Sequence, residues 1–257
     1  MISPRQTVLL FLGGAALLTG FYLTLDKLKD TLEGQRADRL THAVDQLRDR
    51  KLEVRLGGIY ALEQLARTSE NVYWPIMEIL TVFVREHASV TKIQTPKEPP
   101  LRLAPDIQAA LDVIGRRRHT YKDGESQRLD LRGTDLRRAH LAGAKLAGAI
   151  LSEVRLEDAN LAGISLEEAI LRAAHLEHSN LADAKMQGAF LLNTSLQGAR
   201  LRNANLQGAF LGGTRFDEAD LLGADLTDAN ELTWEQLKTA RKDNRTRLPA
   251  YLTLTAR

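Results

Sequence analysis

A large apolar residue stands at every fifth position from Leu131 to Leu226, without interruption over twenty positions. Eighteen of the twenty are leucine, and the two exceptions are Met186 and Phe216. A second series lies three residues after each of these apolar residues and runs from Thr134 to Ala229. Fourteen of its twenty members are alanine. This strict period of five constrains the fold more than any other property of the chain.

Neither regular secondary structure accommodates a period of five. On an α-helix, residues five apart are rotated by about 140°, so the leucines would point in all directions. On a flat strand, an odd period sends successive leucines to opposite faces. The pattern is satisfied only if the chain turns a corner about every five residues, always in the same sense. That geometry is a solenoid, in which each turn buries its leucines against the turns above and below.

The repeat resembles that of the pentapeptide-repeat family, whose unit is A(D/N)LXX. Typical units are 139–143 (Ala-His-Leu-Ala-Gly) and 204–208 (Ala-Asn-Leu-Gln-Gly), and the resemblance covers 129–230. It implies a right-handed, four-sided β-helix with four pentads per coil, and therefore about five coils. The whole layout resembles the membrane-anchored bacterial type, in which a helical segment precedes the repeats.

The predicted fold class is α+β, with a β-helix preceded by a transmembrane helix and a small α-helical region. The predicted domains are an anchor at 1–30, the α-helical region at 31–118, a linker at 119–128, the β-helix at 129–230, and a capping helix with tail at 231–257.

The N-terminal segment is predicted to be a single-pass membrane anchor. Residues 8–25 are eighteen residues without a charge, a length at the short end of the range that spans a bilayer core. A cleaved signal peptide is the alternative, but no small-x-small cleavage site follows. More basic residues follow the segment (Lys27, Lys29, Arg36, Arg39) than precede it (Arg5). The positive-inside rule then places the body of the protein in the cytoplasm, at the bacterial inner membrane.

The region between anchor and repeats shows helical periodicity. Apolar residues recur at helical spacing around Ile59, Ile76 and Ile107, with Pro75 expected in the first turn of the third helix. The stretch 54–66 resembles a HEAT-type helix, and the pair Gly57-Gly58 within it is interpreted as a close-packing point. The charges at 116–118 are interpreted as a solvated helix end.

Both ends of a solenoid need a cover, because the terminal coils expose apolar residues. The helix around Ile107 is expected to cover the first coil, with Leu129 and Leu131 beneath it. At the other end, 233–241 is predicted to be a helix with Thr233 as N-cap and Gln236 as its capping-box partner. Trp234 and Leu237 would then lie on the last coil.

One face of the four-sided rod is predicted to carry an apolar ladder. Residues twenty apart stack on the same face, and the residue before each central leucine points outward. Of the 21 such positions from Asp130 to Asn230, four are strongly apolar, all twenty apart: Ile150, Ile170, Phe190 and Phe210. Leu192 adjoins them. A contiguous apolar strip indicates a contact surface. Three interpretations are open: a protein partner or second copy binds there, the protein's own helices or tail fold over it, or the side chains stack without a cover.

Candidate chemistry is sparse. There is no cysteine, no phosphate-binding loop and no metalloprotease motif. His175 and His178 point outward and lack further ligands of adequate type, so they are interpreted as solvated. The acidic pairs Glu157-Asp158 and Glu167-Glu168 are interpreted as solvated charges as well. The sequence thus predicts no catalytic, cofactor-binding or metal-binding residue, and no small-molecule substrate.

The predicted function is that of a membrane-anchored, non-enzymatic scaffold or adaptor, including a subunit of a membrane complex. The alternative comes from the resemblance: some pentapeptide-repeat proteins mimic nucleic acid and bind a DNA-processing enzyme such as gyrase. Such mimicry requires a strongly acidic rod, whereas 129–230 carries 10 basic and 14 acidic residues. No nucleic-acid binding is expected either. A membrane-tethered enzyme is the third and least favoured class.

Overall fold

The computed structural model describes residues 34–90 and 102–255. The chain forms two compact units, Met1–Ile79 and Leu80–Arg257. The anchor predicted at 1–30 lies outside the described residues, so the anchor and its orientation stay predictions. Among the helices in the described ranges, none has the length and apolar character needed to cross a bilayer.

The first unit is helical. It contains α1 (Gly34–Gln46), α2 (Leu52–Thr68) and the start of α3 (Glu70–His87), within which the division between the units falls. A Cβ on Gly58 would lie 2.7 Å from the carbonyl oxygen of Ala43, so glycine permits the close approach of α1 and α2. The interpretation of Gly58 as a packing point is confirmed.

The start of the third helix was predicted wrongly. α3 begins at Glu70, and Pro75 lies inside it rather than in its first turn. Proline has no N–H to donate to the preceding turn, which favours a position at the helix start but does not enforce one. Burial of Val72, Tyr73 and Ile76 in the unit's core holds the earlier turn in place.

The second unit contains α4 (Pro105–Gly115), the short parallel pair β1 (Thr120–Tyr121) and β2 (Gly124–Glu125), the repeats, and α5 (Ala250–Thr255). In the repeats, each outward residue pairs in parallel with the residue twenty positions later, from Asp130 with Ile150 to Phe210 with Asn230. A pairing interval of twenty gives four pentads per coil. The four-sided β-helix predicted from the sequence is confirmed.

The corners of the β-helix depend on the left-handed backbone conformation. In each pentad the second residue after the inward leucine has a positive φ, which holds for all twenty corners from Gly133 to Asp228. Nine of the twenty are glycine, the residue that adopts this conformation without strain. In the turns from Leu136 onward, the N–H three residues after the inward residue donates to the carbonyl of that residue, as in the bond of 3.0 Å from Ala139 N–H to Leu136 O. These are the features of a turn with glycine at its third position.

The rod's core is formed by buried side chains along its whole length. The side chain of Leu181, midway along the rod, is fully buried, as are Leu161 and Leu201 one coil away. Hydroxyl groups replace alanine at a few inward positions, and each donates to a backbone carbonyl. These bonds of 2.7–2.8 Å come from Thr134, Ser179, Thr194 and Thr214. Burying these polar side chains therefore leaves no unsatisfied hydroxyl.

The N-terminal end of the rod is covered by α4 and by the end of α3, so the predicted role of the helix around Ile107 is confirmed. Leu129 and Leu131 are buried beneath it. The first coil has no preceding coil to accept hydrogen bonds from its backbone N–H groups. Three of these groups donate to the covering segments instead. Asp135 N–H donates to Ala88 O over 2.6 Å, His140 N–H to Gln108 Oε1 over 2.9 Å, and Lys145 N–H to Gly115 O over 2.9 Å.

Arg117 corrects the interpretation of 116–118 as a solvated helix end. Its guanidinium is fully buried and lies 3.1 Å from the Glu125 carboxylate, which is 1% exposed. Arg117 also donates to the carbonyl of Ala147 over 3.0 Å. The segment predicted as a linker at 119–128 supplies this partner. Only Arg116 and Arg118 of the three arginines are exposed.

The helix predicted at 233–241 is wrong. The capping-box bond forms, since Thr233 N–H donates to Gln236 Oε1 over 2.8 Å, but only a turn follows. Gln236 instead donates to two carbonyls of the last coil, and Arg241 pairs with Asp220 as an added strand position. Unpaired backbone groups at the edge of the last coil select this extended chain over a helix.

Candidate functional site

The four ladder residues stack along one face of the rod as predicted. Ile150 pairs with Ile170, Ile170 with Phe190, and Phe190 with Phe210. The two phenylalanine rings are stacked, with centroids 4.8 Å apart and planes within 1° of parallel. All four side chains are half-buried, so each keeps some contact with solvent. The ladder is thus an apolar surface continuous over four coils.

The inward neighbours show that the ladder is separate from the core. Leu191 and Ala189, on either side of Phe190 in sequence, are fully buried, while Phe190 is not. This alternation is the period-2 geometry of a strand, which sends adjacent side chains to opposite faces. The ladder residues contribute to contacts between coils on the outside, and the leucines form the axial core.

Polar groups bound the ladder at both ends. Asp130 occupies the first position and forms ion pairs with Arg132 at 2.9 Å and Arg85 at 3.2 Å. Asn230 occupies the last position and donates to the carbonyl of Gly208 over 3.3 Å. Leu192 extends the apolar surface sideways. Its Cδ2 would lie 3.0 Å from a Cβ on residue 212, and glycine at 212 makes room for it.

The next face of the rod carries charge pairs instead. In four coils, an outward residue of this face forms an ion pair with the residue two positions later. The pairs are Arg137–Asp135, Arg155–Glu157 at 2.8 Å, His175–Glu177 at 3.3 Å and Arg215–Asp217 at 3.8 Å. Each of these acidic groups therefore has an arginine or a histidine beside it, and this face presents no continuous acidic stripe.

Glu157, His175 and Glu177 on this face form a compact cluster. One ligand atom from each residue lies within 4.8 Å of the others. Glu157 and Glu177 are only partly exposed, at 19% and 22% of their side chains. Their Oε2 atoms are buried and have no hydrogen-bond partner in the described part of the chain. The statement that His175 has no further ligand groups near it is wrong, because Glu157 and Glu177 lie beside it, whereas the expectation of no metal-binding residue stays a prediction.

Aspartate side chains form hydrogen bonds between the C-terminal tail and the last coils. The pKa of Asp243 lies well below its ordinary value because the N–H of Gly223 donates to it, and Arg245 and Thr246 add further hydrogen bonds. Burial alone would raise the pKa of Asp220, but hydrogen bonds from Arg202 and from the N–H of Leu222 lower it overall. These two residues hold their charge through strong local pairing.

Comparison with known proteins assigns the repeats. A family model described as Pentapeptide repeats matches residues 127–161, 159–198 and 194–230, with eight copies. Together with the twenty-residue pairing interval, this match shows that the chain belongs to the pentapeptide-repeat family. The family identified from the A(D/N)LXX units is thereby confirmed, and the solenoid is a right-handed β-helix. Among curated proteins, none matches the chain.

Several solved structures are similar to the repeat region. A pentapeptide repeat protein from the Arabidopsis thaliana thylakoid lumen is 31% identical, over 45% of this chain and 75% of that one, with a TM-score of 0.33. The pentapeptide repeat protein Rfr23 from the cyanobacterium Cyanothece 51142 is 32% identical, over 46% and 87%, with a TM-score of 0.27. HetL from the cyanobacterium Nostoc sp. strain PCC 7120 is 28% identical, over 46% and 65%, with a TM-score of 0.26.

The cluster of Glu157, His175 and Glu177 escaped the sequence analysis for a definable reason. Glu177 lies two residues from His175, but Glu157 lies eighteen residues away and comes close only through coil stacking. The twenty-residue interval that revealed the ladder also places Glu157 directly below Glu177. Applying that interval to the residue directly after each inward leucine, as well as to the outward residues, would have found the carboxylate pair.

Proposed function

We propose that this protein is a membrane-anchored, non-enzymatic scaffold that binds a protein partner or a second copy through the apolar ladder. The observation that carries the proposal is the half-buried column of Ile150, Ile170, Phe190 and Phe210 on the outside of a rigid rod. Leu192 belongs to the same surface. Stacked aromatic side chains on a preorganised surface contribute strongly to binding, because little conformational entropy is lost on contact.

The membrane part of the proposal rests on the sequence. The uncharged stretch at 8–25 is long enough for one crossing, and the basic residues after it favour a cytoplasmic body. We propose a bacterial inner-membrane location on this basis. An anchor would also raise the local concentration of a partner in the same membrane, so a ladder of modest area would suffice for association.

Nucleic-acid mimicry has weaker support. A mimic needs a regular array of negative charge that imitates phosphates. On the face next to the ladder, however, Arg137, Arg155 and Arg215 each neutralise a neighbouring carboxylate. The ladder itself is apolar. Neither face offers the acidic surface that a DNA-processing enzyme would recognise.

The ladder is tested by replacing Phe190 and Phe210 with glutamate in the full chain, purified in detergent. We expect the oligomer mass measured by sedimentation, or the species cross-linked in native membranes, to shift to the free form. Lys185→Glu is the matched control, because it makes the same change of net charge at an exposed outward position on another face. Unchanged association in the double variant, or equal loss in the control, would refute the ladder as contact surface.

The anchor is tested on membranes. Alkaline carbonate should leave the protein in the pellet, and protease added outside intact cells should spare the body. Release by carbonate would refute the anchor, whereas digestion from outside would reverse the orientation while leaving the anchor intact.

A further inference from the structure

We propose that Glu157, His175 and Glu177 form a binding site for a divalent metal ion of the zinc type on the charged face of the rod. This site is separate from the apolar ladder. It would join two successive coils, because Glu157 lies in one coil and the other two residues lie in the next. The site is independent of the scaffold function proposed above and can fail without affecting it.

The spacing of the three residues suits a metal ion. One ligand atom from each lies within 4.8 Å of the other two. In a tetrahedral zinc site with bonds of about 2.0 Å, ligand atoms lie about 3.3 Å apart. To shorten the distances between ligand atoms to this value, the side-chain tips must move by roughly an ångström. Rotation about the side-chain bonds of Glu and His allows such a movement. The backbone, fixed by the hydrogen bonds between coils, can stay where it is.

Two carboxylate oxygens at the site lack partners. Glu157 and Glu177 occupy equivalent positions of adjacent coils, each directly after an inward leucine, so their like charges lie about 4.8 Å apart along the rod. Arg155 engages Glu157 Oε1 and His175 engages Glu177 Oε1. The remaining Oε2 atoms are buried without hydrogen-bond partners among the described residues. Buried oxygens of this kind are costly unless something pairs with them. A dication would pair with both and remove the repulsion.

The donor set indicates the class of metal. One imidazole nitrogen and two carboxylate oxygens match the ligands of zinc and similar first-row dications, and no thiolate is present. The imidazole disfavours calcium and magnesium, which prefer oxygen alone. Three protein ligands leave a fourth position for water. The site lies on a convex surface, so the ion would act as a clamp between coils rather than as a catalyst.

Arg155 gives the proposal a distinctive test. Its guanidinium donates twice to Glu157 Oε1, at 2.8 and 3.0 Å. Arginine therefore competes with the metal for this carboxylate. Replacing Arg155 with glutamine should free Glu157 and strengthen metal binding by about tenfold. A carboxylate pair with a purely structural role would not produce such a gain.

The experiment is a titration of the full chain in detergent, without a histidine tag, with zinc chloride by calorimetry and thermal melting. We expect one ion per chain with a micromolar or lower dissociation constant, and a raised melting temperature. Glu157→Gln, Glu177→Gln and His175→Ala should each weaken binding at least tenfold. His178→Ala is the control, because His178 is an exposed histidine of the same coil outside the cluster.

Three results would overturn the proposal. Binding only at millimolar zinc would indicate an adventitious ion only. Equal loss in His178→Ala would indicate general surface histidine binding. Loss or no change of affinity in Arg155→Gln would show that Glu157 is not a ligand. Melting of each variant without metal separates these results from misfolding, since the zinc-free melting temperatures should stay close to that of the parent chain.

Discussion

The rod and the segments that close its ends are stabilised in different ways. Inside the rod, each coil supplies hydrogen-bond partners and apolar surface for the next, so every position repeats the environment of the position twenty residues away. At the ends no next coil exists. Individual side chains such as Arg117, Gln236 and Tyr251 satisfy the terminal coils there instead.

This difference determines how stability depends on single residues. Within the rod, many equivalent leucines share the core, so a conservative change at one of them causes only a small loss of stability. At the ends, one side chain often serves two groups: Tyr251 accepts from Leu232 N–H and donates to Ala229 O, each over 3.0 Å. We therefore expect disruptive changes in the rod to abolish folding, and changes at the ends to open the cover while the coils persist.

The largest effect is expected from Leu181→Arg. Leu181 is fully buried at mid-rod, and a charge there would have no partner. We expect destabilisation on the order of 5 kcal/mol or more, enough to exceed the margin of a marginally stable domain. Loss of cooperative melting by circular dichroism checks this, with Leu181→Met as the conservative control. Cooperative melting of the arginine variant at the parent temperature would mean that Leu181 does not point inward.

The next effect concerns the N-terminal cover. Arg117→Met removes a buried guanidinium that pairs with Glu125, which costs about 3–5 kcal/mol. We expect faster proteolysis around 119–128 before any loss of the β-sheet signal, because Arg117 contacts the rod at its terminal coil, through Ala147 O, and the later coils keep their own hydrogen bonds. Arg118→Met, at an exposed neighbour, is the control. If the rod and the cover were lost together, the two regions would be one cooperative unit.

A smaller effect is expected at the C-terminal end. Tyr251→Phe removes both hydrogen bonds of the hydroxyl, and a loss of about 1–2 kcal/mol follows. Tyr60→Phe, at an exposed position in the first unit, should be close to neutral. Hydrogen exchange at Leu232 N–H reports the change directly. Equal protection in the parent chain and in Tyr251→Phe would show that this hydroxyl does not hold the end.

The smallest expected effect is a pH dependence of the stability of the C-terminal end. The pKa values of Asp220, Asp225 and Asp243 are lowered in the folded state, so these carboxylates bind protons more readily when unfolded. Their stabilisation is complete above the unfolded value of about 3.9 and is lost as the pH falls below it towards the folded values. Proteolysis of the tail should therefore accelerate below about pH 4. Asp243→Asn should reduce this acceleration, and an unchanged profile would contradict the role of Asp243.

The same difference between rod and ends explains how far the sequence alone could lead. The leucine period predicted a solenoid, because a periodic pattern repeats one structural rule twenty times. The resemblance to the pentapeptide-repeat family then implied four pentads per coil, and with that number the outward column from Ile150 to Phe210 followed. The end segments carry no repeat. Thr233 and Gln236 fit the start of a helix locally, and only the unpaired edge of the last coil made the chain extend instead.

Arg117 and the cluster around His175 show the same limit at single residues. In sequence, an arginine at the end of α4 resembles any solvated charge, and its burial depends on Glu125 in a short β pair that no periodicity predicts. The cluster depends on Glu157 from the previous coil. The Arg117–Glu125 contact lies in a segment without a repeat, and the contact of His175 with Glu157 crosses from one coil to the next, so neither is visible to a reading of adjacent residues.

The central claim is that the contact surface of the rod is separate from its core, and two adjacent residues test it most directly. Phe190 is half-buried on the outside, whereas Leu191 is fully buried at the axis. The measurement is thermal melting together with oligomer mass for Phe190→Glu and Leu191→Glu in the full chain. We predict that Phe190→Glu melts close to the parent chain but loses association, and that Leu191→Glu loses cooperative melting. Collapse of Phe190→Glu, or a stable Leu191→Glu variant, would contradict the separation of surface from core.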